Sequence, residues 1–344
     1  MEAWVFVTVY FVSLLALGVY AGKQSKSMND FFVAGRNLGP IVIAATWFAT
    51  AISGSTFIGF GGYVWTWGWA PLGMLSAEMT IPLVQFGILA PKIRTVGEKI
   101  GALTMSDILG HRYNSETLRL TSAIVTIILC IPMMIVQYTA AGRLFEGFLG
   151  VNYVTAIVIF AGIVILYTAA GGFLAVAWTD AMQGLIMFFG VIVLAIASLK
   201  AVGGLSSLNA KLAVVDPRLL TYPGPDDYMT WKMFFSQLVL WNIGWIGNPT
   251  LTSRFLAMKG KNTAKRAMVI STLAFFIVVF LAIIPGLTAR ILLPDLPVAD
   301  LAFPMLLKKL LNPWIAAIYA TAVLGSAMST ADSILLVATS AVVR

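Results

Sequence analysis

Charge is scarce in this chain: 10% of its 344 residues are Asp, Glu, Lys or Arg, against roughly 25% in an ordinary soluble domain. Histidine and cysteine are scarcer still, with one of each. A lone cysteine excludes an internal disulfide, and because Cys130 falls inside an apolar run it says nothing of redox compartment. A single histidine, His111, is too few for most metal sites, and its place in the polar 92–118 segment marks it as a surface residue. No His-Glu-x-x-His, Gly-x-Ser-x-Gly or P-loop signature occurs, which argues against an enzyme and against ATP-driven work within this chain. The net charge is +8, yet no basic patch with interleaved aromatics exists to support a nucleic-acid partner.

What is present is apolar surface, 60% of the residues, so the solvent of this chain is a lipid bilayer. A hydrocarbon core about 30 Å thick needs roughly 20 apolar residues per helix, which predicts nine spans, near 3–22, 39–66, 70–91, 119–147, 151–171, 173–199, 229–256, 264–290 and 313–343. The first has only Met1 and Glu2 before it, with neither a basic n-region nor an Ala-x-Ala-like site, so it reads as a permanent span and not a signal peptide. With the N-terminus outside, 14 of the 22 Lys and Arg fall in internal segments: Lys23, Lys26, Arg36, Lys92, Arg94, Lys99, Arg112, Arg119, Arg254, Lys259, Lys261, Lys265, Arg266 and Arg344. The rest lie in external segments, several of them in the long 200–228 loop, where the positive-inside rule has less force. A multi-pass protein of the cell membrane with an outside N-terminus is therefore expected.

Two spans are poor helices at their centres. "TWFATAISGSTFIGFGGYVW" carries Ser53-Gly54-Ser55-Thr56, and "LVLWNIGWIGNPTLTSRF" carries Asn242, Gly244, Gly247, Asn248 and Pro249. Small residues of this kind also permit close helix packing. Two interrupted helices five spans apart point instead to a transporter with inverted repeats and a midplane site, because bare backbone at membrane depth is tolerated only around a cavity.

The segments "DFFVAGRNLGPIVIAATWFATAISG" at 30–54, "YTAAGGFLAVAWTDAMQG" at 167–184 and "SAMSTADSILL" at 326–336 resemble the sodium/solute symporter family, which holds carriers of proline, sugars, sialic acid and pantothenate. "VQYTAAGRLFEG" and the 201–227 loop look closest to the pantothenate branch. The resemblance implies an all-α fold with an extra N-terminal span followed by a five-plus-five inverted repeat built on discontinuous helices. On that basis residues 1–37 are the extra span and its loop, 38–200 the first repeat, 201–228 an external loop, and 229–344 the first three helices of the second repeat. The family pattern continues beyond that point, so the chain reads as truncated at Arg344. The implied function is sodium-coupled uptake of a small organic solute by alternating access, with pantothenate or another monocarboxylate as the solute. An amino acid such as proline, a sugar or a sialic acid is the alternative, as is a transporter-like sensor module.

Four hydroxyls, Ser326, Ser329, Thr330 and Ser333, follow i, i+3, i+4, i+7 and so share one helix face, where they suit a hard cation. They also suit simple bonding to carbonyls one turn earlier. The resemblance implies a common sodium site made of backbone carbonyls at Ala49, Ile52 and Ser326 with the hydroxyls of Ser329 and Thr330. It implies, in some members, a second cation site at positions matching Asp180, Ser329, Asp332 and Ser333. Two carboxylates there would hold sodium tightly or share a proton, since an intramembrane carboxylate marks a functional site by default. Asp180 could also be a solvated charge near its helix end, and both carboxylates could instead be paired structurally with basic residues such as Arg254. Solute contacts are expected near the two breaks: Ser53, Ser55, Thr56, Glu78, Gln137, Trp241, Trp245 and Asn248. Gln137 pairs with its neighbour Tyr138 on the fourth span, and Trp65, Trp67 and Trp69 form an interfacial aromatic belt. A cavity-facing Glu78 disfavours an anionic solute unless it is protonated or paired.

Overall fold

The computed structural model of the protein describes residues 2–343, which leaves the expectations placed on Met1 and Arg344 outside the described residues. The chain is almost wholly helical, and among the described residues there is no strand beyond one isolated parallel bridge between Leu38 and Met258. The principal elements are α1 (Glu2–Gln24), α2 (Pro40–Ala51), α3 (Ser55–Trp67), α4 (Leu72–Ile100), α5 (Glu116–Leu149), α6 (Tyr153–Val202), α7 (Trp231–Val239), α8 (Pro249–Leu256), α9 (Lys261–Leu292) and α10 (Pro313–Val343).

Six of these helices are each long and apolar enough to cross a membrane, and the pair α2 and α3, bent by 49°, makes a seventh crossing. The 50 residues of α6 would run about 75 Å at 1.5 Å per residue, far more than a bilayer, but the chain turns at Gly172 (φ 59, ψ −155), giving two spans. The segment 231–256, expected as the ninth, is helical only in pieces, none of them long enough to cross a membrane, because the helical path stops at Gly247 and Asn248 before Pro249 restarts it. The breaks follow from sequence. Ile52 (φ −83, ψ 86) leaves the helical path where Ser53 and Gly54 succeed the apolar run, and Pro249 has no amide proton to give to a continuing helix.

The helices differ in what they face. Of the most apolar stretch of α10, 94% is buried, against 17% for α5, so α10 is the central post and α5 the least enclosed of the long helices. Around α10 stand α1, α2, α5, α6 and α8. The extra helix α1 lies so close on α6 that a Cβ added at Gly22 would stand 2.1 Å from the Ala170 carbonyl oxygen, a small-residue contact of the kind lipid-embedded helices use in the absence of a hydrophobic drive between them. On the face where α2 begins and α8 ends, Leu38 and Lys259 share a backbone bond of 2.9 Å, and the Arg36 guanidinium caps the Leu256 carbonyl at 3.2 Å and the Ala102 carbonyl at 2.5 Å. Arg94 adds bonds to the Met258 and Lys259 carbonyls there.

The tryptophans expected as a lipid belt are engaged by protein instead. Trp65 donates to the Leu293 carbonyl at 3.0 Å beneath Arg290, Trp67 stacks on Tyr228 at 4.0 Å, and Trp69 donates to Asn209 at 3.0 Å. They fasten the loops between α6 and α7 and after α9 to the end of α3.

Candidate functional site

The break in α2/α3 and the end of α7 border a cavity of about 510 Å³. Ser53, Ser55, Thr56, Glu78, Gln137, Trp241 and Trp245 all line it, together with Tyr63, Thr330 and Asp300. Trp241 and Trp245, one turn apart on the stretch that follows α7, set their rings 5.2 Å apart as one wall. Gln137 on α5 accepts from the Gly54 amide at 3.1 Å, which gives the interrupted backbone a partner, and Ser53 and Ser55 bond each other at 2.6 Å. Tyr138 does not share that face: neighbouring residues on a helix point about 100° apart, and its ring meets Phe160 edge-on at 5.6 Å. Asn248 does not reach the cavity either. Its side chain is spent capping α8, accepting from the Thr250 amide at 2.9 Å and the Thr250 hydroxyl at 2.7 Å. Asp300, in the segment between α9 and α10, was not legible as part of the lining; burial pushes its carboxyl up and Arg143 nearby opposes that.

Thr330 belongs both to the cavity wall and to a buried oxygen cluster behind it. The Ser329 hydroxyl lies 2.8 Å from the Ala49 carbonyl and 3.2 Å from the Ser326 carbonyl, while the Thr330 hydroxyl lies 3.0 Å from the Thr50 carbonyl and 3.2 Å from that of Ser326. Ile52 stands at the point where α2 unwinds, so its carbonyl is no longer committed to the helix. The hydroxyls bond to carbonyls one turn earlier on α10, as any membrane helix permits, but they also reach across to α2. A donor set of hydroxyls and carbonyls, with Ser326 and Ser329 wholly buried, has the chemistry of a site for a hard monovalent cation.

The second group is built differently from the expectation. Asp180 is 0% exposed, so it is no solvated helix-end charge, and its partner is Arg254, equally buried, at 2.9 Å. Arg254 therefore leaves the tally of surface basic residues, as does Arg94 at 4% exposure. The Arg254 Nη2 also lies 2.6 Å from the Ser333 hydroxyl and bonds Thr50, its Nε donates to Thr46 at 3.1 Å, and its Nη1 to the Thr250 carbonyl. Thr46 in turn donates to Asp180 at 2.5 Å. Asp332 accepts from Tyr167 and, at 3.1 Å, from Ser333. Ser329 joins this group through its carbonyl, which Ser333 and Thr50 reach at 2.7 and 3.1 Å, and not through its hydroxyl. Thr46, Thr50 and Tyr167 are thus the residues that motif reading passed over, and Arg254 is the basic partner that the sequence had left open for the carboxylates. Thr46 and Thr50, one turn apart on the approach to the break, were the available signal.

Broken helices meeting around a cavity, with an oxygen cluster against one break, are the architecture of a secondary transporter of the inverted-repeat fold typified by LeuT. The chain belongs to the sodium:solute symporter family, whose family model matches residues 31–344. It is 34% identical to the sodium/pantothenate symporter of Escherichia coli (strain K12), over 98% of this chain and 71% of that protein. It is 31% identical to the high-affinity proline transporter PutP of Bacillus subtilis (strain 168), over 96% of this chain and 71% of that one. The solved structure of a Na+-coupled sialic acid symporter, in a substrate-bound outward-open state, shares the fold with a TM-score of 0.84 at 22% identity, covering 99% of this chain and 72% of that one.

Proposed function

We propose that this chain moves a small organic solute into the cell together with sodium, by alternating access around the cavity of α3, α4, α5 and the stretch after α7. The carrying observation is the shared wall: Thr330 lines the cavity and lies one residue from Ser329, whose hydroxyl meets the Ala49 carbonyl at 2.8 Å. A cation drawn into Ala49, Ile52, Ser326, Ser329 and Thr330 would fasten α10 to the broken helix, and a solute against Ser53, Ser55, Thr56, Gln137 and the two tryptophans would rest on that same break. Each ligand then stabilises the conformation the other needs, which is what coupling requires. The sodium-coupled character of the family supports the choice of ion.

For the solute, the pantothenate symporters among the relatives favour a monocarboxylate. A second reading has its own observation. Glu78 and Asp300 both line the cavity and, among the described residues, no Lys or Arg does, which suits a solute carrying an ammonium group, such as proline or another amino acid. We place residues 38–200 as the first repeat and 229–344 as the opening of the second, with the N-terminus and the 201–228 loop outside. Uptake by proteoliposomes of labelled pantothenate, proline, sugars and sialic acid, with and without an inward sodium gradient, tests the whole reading. Saturable uptake of one of them that vanishes without sodium supports it. Binding without flux would favour a sensor module.

A further inference from the structure

One buried side chain joins the two breaks in the helical path. We propose that Gln85 of α4 is the positioning residue that ties the sodium site to the solute wall, so that sodium at the Ala49 cluster tightens the hold of Trp245 on the solute through it. This rests on the sodium-coupled reading above and names the group that does the coupling.

Three observations carry it. First, the second break frees two carbonyls. In an unbroken helix the amide of residue 249 would reach the Trp245 carbonyl, but Pro249 has no amide hydrogen. The Thr250 amide, which would reach the Ile246 carbonyl, is taken by the Asn248 side chain at 2.9 Å. The Gln85 Nε2 donates to both carbonyls, at 2.6 Å to Trp245 and 3.3 Å to Ile246, beside a bond from the Asn248 amide to the Trp245 carbonyl at 3.1 Å. Second, the other end of the same side chain is engaged by the other broken helix. Its Oε1 accepts from the Trp47 indole at 2.7 Å, and Trp47 stands just before Ala49, whose carbonyl meets Ser329. An indole only donates and a carbonyl only accepts, so a single orientation of the amide serves both partners. Third, water has no access to take its place. Gln85 and Trp47 are both 0% exposed, and apolar rings enclose them: Phe86 and Phe275 lie 5.4 and 6.0 Å from the Trp47 ring, and Phe255 lies 5.2 Å from Phe86.

A cation that fastens the last turn of α2 to α10 fixes the Trp47 indole. The indole fixes Gln85, and with it the main chain of Trp245, whose ring forms the cavity wall. Parting the two breaks would leave the buried amide and its partners unsatisfied, so the breaks shift together or the bridge is lost.

Binding of labelled pantothenate and labelled proline to the purified full chain, in sodium or in choline medium, reads this tie directly. A second readout needs no solute: in a Cys130→Ala background, the rate at which N-ethylmaleimide alkylates Trp241→Cys with and without sodium. With Gln85 in place, sodium is expected to tighten solute binding by a factor in the range of about 5–150 usual for coupled sites, and in Gln85→Met, which keeps the bulk and loses every bond, the factor should fall to about one. Trp47→Phe, which removes the indole N–H and keeps a ring, should lower the factor likewise, and 22Na+ should still bind to both variants. A Gln85→Met protein that melts at the wild-type temperature and keeps the full sodium effect would overturn the inference while leaving sodium coupling intact. So would one that binds solute and sodium more weakly with the factor unchanged, since that marks a structural role. If Gln85→Met fails to fold, Trp47→Phe decides by the same results. No sodium effect on either readout in the wild type would sink the coupled reading and this inference with it.

Discussion

The Ser329 hydroxyl has two acceptors, the Ala49 and Ser326 carbonyls, and sits on the helix whose most apolar stretch is 94% buried. Removing it with Thr330 takes away two oxygens that neither lipid nor the apolar neighbours can replace. Ser329→Ala with Thr330→Ala is expected to weaken sodium activation of uptake by at least the roughly 10- to 100-fold that loss of an outer-shell metal partner alone costs. A sodium titration of transport measures this, and an unchanged half-saturation would place the ion elsewhere. Glu78 tests the solute. Two like charges about 10 Å apart at an effective dielectric near 20 repel by about 1.7 kcal/mol, so an ionised Glu78 would cost a monocarboxylate somewhat over tenfold in KM, a cost that Glu78→Gln should remove while impairing the KM for a cationic amine. Indifference of both KM values would mean that Glu78 presents no charge to the solute. At this scale the hydroxyl stripe was legible from its spacing, and the seven cavity residues from the two breaks and the family resemblance. Arg254 was legible only as one of several basic residues that could pair with the carboxylates. Its burial depends on Asp180, 74 positions away along the chain, and nothing local distinguishes a buried, paired arginine from a loop arginine that sets topology.

Elements were legible where composition is extreme and illegible where a single residue decides. The apolar runs with two weak centres were enough to place eight of the nine expected crossings and both breaks, since Gly, Ser, Asn and Pro at membrane depth have few other uses. The turn that divides α6 was placed between Gly171 and Phe173 only because two bilayer-length runs abut there. Its cause is Gly172, at a φ of 59 and ψ of −155 that a residue with a side chain rarely adopts. A Cβ on Gly172 would also lie 2.7 Å from the Phe31 carbonyl oxygen, a backbone atom that cannot rotate aside. Gly172→Ala is therefore expected to cost about 1–3 kcal/mol in strain before any clash is counted. Thermal unfolding monitored by size-exclusion chromatography should show a lower melting temperature or loss of the monodisperse peak, whereas Gly162→Ala, with nothing within 4 Å, should be tolerated. Equal behaviour of the two variants would mean that the turn is soft and that length alone separates the spans.

For the molecule as a whole, orientation is the quantity that helix packing does not reveal, because a bundle has the same contacts either way up. Charge has to decide it. With Arg254 and Arg94 buried, the bias still rests on Lys23, Lys26, Lys92, Lys99, Arg112, Arg119, Lys259, Lys261, Lys265 and Arg266, which gather on the face where Leu38 meets Met258. The opposite face carries the helix Leu205–Val215 and the segment that brings Asp300 to the cavity. The single cysteine makes this testable: Cys130 is buried at 6% exposure beside Ile334 and Val337, and Cys130→Ala clears the background. In that background, Val214→Cys, at a position 87% exposed, should react with an impermeant maleimide on intact cells, and His111→Cys, also exposed, only after permeabilisation. The reverse pattern would turn the bundle over. It would then put the Leu38–Met258 face, with the lysines that follow it, on the outside.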